Sequence, residues 1–346
     1  MNDFIAAFAV FFAIFAGVAG YRQVAERIGA IDIPNERSSH RRPVPRGGGI
    51  VIAAVCLIFF WIFAWNFTHF RHFWHIWNFG LVISAIGFYD DLRPLGIGLR
   101  LVMQFLVSAL FLSALFYGAA PVFSPVIFYP LAIVWMIAVI NAFNFLDGID
   151  GMIALAAFTG GVFWRFFAIS SDLPMVATAS TITSAAALAF FLHNRQPARI
   201  FLGDSGSMFF GFVFAAMPFV ALQESTGEIS PQPFFAGAIF IWPLLADAFL
   251  TRLRRALKVK RFWEPNRDHF YQRLVDSGLL VQGRSHRFVS ALYAAAAAVA
   301  SAIFLFFEAQ SGNLPVLTVL FVTVSIIAGI FLAVKIGKSS LTVKDV

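Results

Sequence analysis

Apolar residues dominate the chain in long runs, separated by short polar loops. The runs repeat at roughly 4–20, 49–65, 76–89, 99–117, 126–143, 151–169, 175–192, 207–222, 234–251, 289–307 and 315–334. Most approach the ~17–25 residues that a helix needs to cross a bilayer. No stretch alternates apolar and polar residues over about ten positions, so a membrane barrel is excluded. The pattern predicts an all-α, polytopic membrane protein with about 11 transmembrane helices, folded as one domain over 1–346. No internal repeat or low-complexity tract interrupts it.

Composition agrees with the pattern. The chain is 60% hydrophobic and 12% charged, with 44 phenylalanines. Soluble domains carry about 25% charge, so half that value leaves no ordinary soluble surface. The single Cys56 lies in an apolar run and cannot form an intrachain disulfide. Asp3 stands where a signal peptide would be basic, so the first run is read as a retained span.

Charge sets the expected orientation. The loops at 21–48, 90–100, 193–206 and 252–288, with the C-terminal tail, hold 23 of the 25 Lys and Arg residues. Positive loops stay in the cytoplasm. The N-terminus is therefore expected in the periplasm and the C-terminus in the cytoplasm, with the protein in the cell inner membrane. The same asymmetry accounts for the net charge of +7, so no nucleic-acid partner is inferred. The first half of TRLRRALKVKRFWEPNRDHFYQRL (Thr251–Leu274) reads as an interfacial helix meeting membrane lipid.

The polar residues within the apolar pattern gather at one side. Asp90, Asp91, Asn141, Asn144, Asp147, Asp150 and Asp204 all fall at cytoplasmic span ends. A transporter of nucleotide sugars or lipid-linked sugars would place ionisable groups near the midplane. Clustering at one face favours chemistry on a cytosolic substrate. In GFYDDLRPLG, Asp90 and Asp91 end a span, where acids oppose the helix dipole and call for a cation or metal partner. Arg100 follows, either holding a phosphate or serving as a positive-inside anchor.

In NAFNFLDGIDG, the residues Asn141, Asn144 and Asp147 recur every third position and share a helix face. Hard oxygen ligands at a helix end suit Mg²⁺, and polar capping is the simpler alternative. FLGDSGS sets Asp204 before another span, as a helix cap or a metal ligand. DIPNERSSHRRPVPRGGG ends in Gly47, Gly48 and Gly49, where the backbone could approach a ligand closely, and it includes His40. Asp247 lies inside the ninth span, where Arg254 is a loose candidate partner.

These five segments, DIPNERSSHRRPVPRGGG, GFYDDL, NAFNFLDGIDGM, FLGDSGS and EPNRDHFYQRL, occur in one order over 32–274. Together they resemble the polyprenyl-phosphate N-acetylhexosamine-1-phosphate transferases, the glycosyltransferase family 4 group of WecA and MraY. The resemblance implies transfer from a UDP-N-acetylhexosamine to undecaprenyl phosphate, with release of UMP. It implies Mg²⁺, replaceable by Mn²⁺, on Asn144 and Asp204. Asp90 and Asp91 would orient or deprotonate the lipid phosphate, with Arg100 in contact with phosphate. Asp150 and Phe201 would bind uracil, and Arg267 with His269 would clamp the diphosphate; Asn141, by its place in the NAFNFLDGIDG motif, is a further substrate-binding candidate. A homodimer is the family expectation. The single His269 departs from the histidine runs of the peptidoglycan and WecA-type enzymes, which argues against a peptidoglycan phospho-MurNAc-pentapeptide transferase. RSSH and DHFYQRL look closest to the WbpL-like branch that starts O-antigen or other surface polysaccharides.

Overall fold

The computed structural model describes residues 3–34, 42–64, 74–117, 124–225, 231–258, 268–277 and 285–311. Twelve helices are described, with one two-residue strand pair. The order is α1 (Asp3–Arg27), β1 (Ile31–Asp32), β2 (Val44–Pro45), α2 (Gly49–Ala64), α3 (Trp74–Leu92), α4 (Ile97–Leu115) and α5 (Pro125–Leu146). It continues with α6 (Met152–Ser170), α7 (Pro174–Asn194), α8 (Gly203–Glu224), α9 (Gln232–Ile239), α10 (Trp242–Lys258), α11 (Phe270–Asp276) and α12 (Ser285–Ser311). β1 and β2 pair antiparallel, Ile31 against Pro45.

Seven of these helices are long and apolar enough to cross a membrane, or eight if the bent α9–α10 pair counts as one span. The α9–α10 bend is 76°. α2 is apolar but short, and α3 carries His75, Asn78, Asp90 and Asp91, which dilute its hydropathy. The span expected at 315–334 lies outside the described residues, as do His40 and Arg267. Exposed Phe8, Phe105, Leu110, Leu131, Val134 and Val299 give the outer helices an apolar surface suited to lipid.

α8 is the central helix. It is apolar on nearly all sides, and a helix of that kind belongs inside a bundle. Everything from Ser205 to Leu222 is buried. It packs against α2, α3, α5 and α9, while α1, α7, α6 and α12 form a neighbouring layer. Aromatic side chains lock the centre: Phe214 stacks on Phe143 of α5 at 5.4 Å. Phe212 meets Phe111 of α4 edge-on at 5.1 Å. The consequence for function is that the polar start of α8 is held by helices on several sides.

Candidate active site at the start of the central helix

The site is built around Asp204, in the first turn of α8. Asp91, in the last turn of α3, accepts hydrogen bonds from the Asp204 N–H (3.0 Å) and the Ser205 N–H (3.2 Å). An acid that opposes its own helix dipole therefore caps the positive end of another helix. Arg46, from the loop after β2, lies 3.6 Å from the same carboxylate and also donates to the Asp91 carbonyl.

Asp90 is equally engaged. One oxygen accepts the Leu95 N–H at 2.5 Å, and the other meets Arg100 at 3.1 Å. Arg100, near the start of α4, reaches Asp204 as well, at 3.4 Å. From the last turns of α5, Asn144 donates to Asp204 at 2.8 Å and to the Ser207 hydroxyl at 3.2 Å. Asp147 follows just past the end of α5. Its carboxyl is pushed well above the usual carboxylate range, first by burial, then by the charges of Asp204, Asp91 and Asp150.

Asp90, Asp91, Arg100, Asn144 and Asp204 are thus brought together from four helices. Other candidates stand elsewhere. Asn141 does not join the cluster: it is buried, donating to Gln104 of α4 (2.6 Å) and to the Ile137 carbonyl (2.8 Å). The three-residue spacing put it on the same helix face, but one turn deeper, where α4 covers it. Asp150 accepts the Ala198 N–H at 3.1 Å and lies 3.5 Å from His286 at the start of α12. Phe201 exchanges backbone hydrogen bonds with the glycine loop, donating to the Pro45 carbonyl (2.8 Å) and accepting from the Gly48 N–H (3.2 Å).

That loop corrects one expectation. Gly49 approaches the protein's own backbone, not a ligand: a Cβ there would lie 2.0 Å from Cα of Gly206. Asp247 corrects another, since its partners are His269, Thr251, Tyr293 and the first N–H groups of α11, with Arg254 not among them. Tyr271 ties α11 to the α5 end by donating to the Phe145 carbonyl at 3.3 Å. His269 is buried beside it, its ring 6.1 Å from that of Phe145. Sequence reading missed Arg46 and Ser207. Both lie inside motifs already singled out, but nothing in their spacing shows which partner they reach.

Among the described residues, no group of three His, Cys, Asp or Glu is arranged to hold a metal ion. Mg²⁺ asks for less, with one or two protein ligands and water or phosphate completing its shell. Neighbouring ligands of an octahedral Mg²⁺ lie about 3 Å apart, from metal–oxygen distances of ~2.1 Å. Asn144 and Asp204 stand 2.8 Å apart, and a half-turn of the amide puts its oxygen at that position. Even with Asp147 holding its proton, Asp90, Asp91 and Asp204 supply three carboxyl groups against Arg46 and Arg100. The donor set fits the ion.

Asp90, Asp91, Arg100, Asn144, Asp147 and Asp204 lie within a region similar to known proteins. A model of the family described as "Glycosyl transferase family 4" matches residues 73–221. The chain is 30% identical over 275 residues to an undecaprenyl-phosphate alpha-N-acetylglucosaminyl 1-phosphate transferase of Yersinia pestis, covering 74% of this chain and 72% of the relative. It is 27% identical over 277 residues to a probable undecaprenyl-phosphate N-acetylglucosaminyl 1-phosphate transferase of Bacillus subtilis, covering 77% and 74%. A decaprenyl-phosphate N-acetylglucosaminephosphotransferase of Mycobacterium tuberculosis is 28% identical over 303 residues, covering 77% and 72%.

Proposed function

Because the chain belongs to glycosyl transferase family 4, we propose that it transfers an N-acetylhexosamine-1-phosphate from a UDP-sugar to undecaprenyl phosphate. The observation that carries this reading is the meeting of Asp204, Asn144, Arg100 and the aspartate pair at the start of α8. The relatives act on a polyprenyl phosphate and N-acetylglucosamine, by their names.

In the reaction, an oxygen of the lipid phosphate bonds to the β-phosphorus of the UDP-sugar. The bond from that phosphorus to the α–β bridging oxygen breaks, and UMP leaves. A phosphate monoester is already largely ionised at neutral pH, so a strong base is unnecessary. The task is to bring anions together and align them. Asn144 and Asp204 would hold Mg²⁺, which when bound neutralises diphosphate charge. Arg100, already between Asp90 and Asp204, can turn its remaining donors to a phosphate oxygen. Asp91 would set the position of Asp204 by capping α8, with one backbone N–H on each oxygen. Asp90 would orient Arg100. Asp150 and Phe201 would receive the uracil, and His269 with Arg267 the diphosphate.

The site would face the cytoplasm at the inner membrane, as the basic loops require. The single His269, with RSSH and DHFYQRL, supports a role in starting O-antigen or another surface polysaccharide. The test is product analysis by thin-layer chromatography and mass spectrometry, using membranes, undecaprenyl phosphate, Mg²⁺ and a panel of UDP-N-acetylhexosamines. A polyprenyl-diphospho-sugar and UMP are expected from one or more sugars. Asp204→Ala should abolish product while the protein still inserts; full activity in that variant would refute the metal assignment.

A further inference from the structure

Asp247 is an acid that the reaction does not use, yet it gathers three helices. It lies in α10, past the bend from α9, and is 5% exposed. One carboxylate oxygen accepts the Thr251 hydroxyl (3.1 Å) and the Phe270 N–H (2.9 Å), and faces Nδ1 of His269 at 3.1 Å. The other accepts the Tyr271 N–H (3.1 Å) and the Tyr293 hydroxyl of α12 (2.6 Å).

A carboxylate can only accept, so Nδ1 of His269 must carry a proton. With Nδ1 turned to the carboxylate, Nε2 is the ring nitrogen able to meet a second group. The same carboxylate holds the first two N–H groups of α11, so ring and backbone are fixed from one point. Tyr271 then fixes the distance, by bonding to the carbonyl of Phe145, next to Asn144. Two structures built from distant stretches of chain are joined there: the aspartates around Asp204, and the His269 segment.

We propose that Asp247 is a positioning residue for the transfer, holding His269 with Nε2 directed to the diphosphate of the nucleotide sugar. The proposal rests on the reading of His269 as a diphosphate contact. It differs from a purely structural role, in which Asp247 would only secure the start of α11. A second group behind a functional histidine commonly matters by 10–100-fold when removed, because it sets ring orientation and tautomer. An amide at this position keeps one acceptor oxygen and puts an NH2 in place of the other, so it sets a donor either against Nδ1 and the Phe270 N–H or against the Tyr271 N–H, and ring and backbone are no longer both held.

The test is a double-mutant cycle on the purified full-length protein with Mg²⁺, UDP-sugar and undecaprenyl phosphate. Asp247→Asn should lower kcat for UMP release by about 10–100-fold, with much less change in KM for the UDP-sugar. In a His269→Ala background, the same substitution should cost less than about twofold, because its action through the ring has gone. Tyr293→Phe removes one donor and leaves the ring held, so it should retain most of kcat even where its melting temperature falls. If Asp247→Asn fails to accumulate, Asp247→Glu enters the same cycle, keeping the charge but displacing the oxygens. Equal losses in both backgrounds would overturn the proposal and leave Asp247 as a structural support. Full activity of His269→Ala would also overturn it, without touching the transferase reading. A wild-type protein that releases no UMP with any sugar would overturn both.

Discussion

Asp147 is the residue where burial and charge conflict most openly. Its carboxyl sits just past the end of α5, with its affinity for a proton raised by burial and then by Asp204, Asp91 and Asp150. The folded protein therefore keeps a proton that the unfolded chain releases near the ordinary value of about 3.9. By linkage, the stability tied to this proton is complete below that value. It declines as pH rises toward the raised folded value, then levels off. In Mg²⁺-free detergent solution, Asp147→Asn should lose less melting temperature than the wild type between about pH 4 and pH 7. Identical slopes would show that Asp147 is not the group responsible. The residue also marks what sequence can reveal. Asp90, Asn144 and Asp204 are conspicuous as polar groups at the ends of apolar runs. Their partners are not, because Arg46 and Ser207 are ordinary residues until folding places them against Asp91 and Asn144. Asn141 shares the spacing but lies one turn deeper, against Gln104, a difference that periodicity cannot show.

Among the elements, α8 decides whether those residues meet, and glycines on its neighbours decide how closely it can be approached. A Cβ at Gly87 of α3 would lie 2.4 Å from the carbonyl oxygen of Asp204, and one at Gly49 of α2 would lie 2.0 Å from the Gly206 backbone. Both obstacles are main chain and cannot swing away. Gly87→Ala should therefore push α3 off the start of α8, costing about 1–3 kcal/mol in stability, as overpacking does. Activity should fall further than stability, because the Asp91 cap and Asp204 move together. Gly98→Ala in α4 is the control: nothing lies within 4 Å of its added Cβ, and alanine favours helix, so melting temperature should hold or rise. A Gly87→Ala protein with wild-type melting and turnover would mean the contact is looser than described. Helix positions were readable from the apolar runs, and the described helices fall on ten of the expected stretches. The 76° bend after α9 was not, because an apolar run of adequate length looks the same whether straight or broken. Its effect is to carry Asp247 to α11 and α12, a meeting that no local pattern encodes.

For the molecule as a whole, the question is which face of the bilayer the assembled site addresses. The orientation proposed from charge asymmetry would put α3's end, α5's end and α8's start at the cytoplasmic side, and the turn between α6 and α7 at the other. The lone Cys56 makes this directly testable, because it is fully buried in α2 and should give little background to a thiol reagent. Asp172, exposed in the α6–α7 turn, and Arg93, exposed just past α3, supply a pair of reporters on opposite sides. Asp172→Cys should react with a membrane-impermeant maleimide on intact spheroplasts. Arg93→Cys should react only after permeabilisation. The reverse pattern would place the aspartate cluster outside the cell, away from any nucleotide sugar, and the transferase reading would fail with it. Labelling of both from outside would mean that one of the helices between them does not span. The seven to eight membrane-length helices among the described residues do not fix sidedness, so this experiment bears on the one global property that the function depends on most.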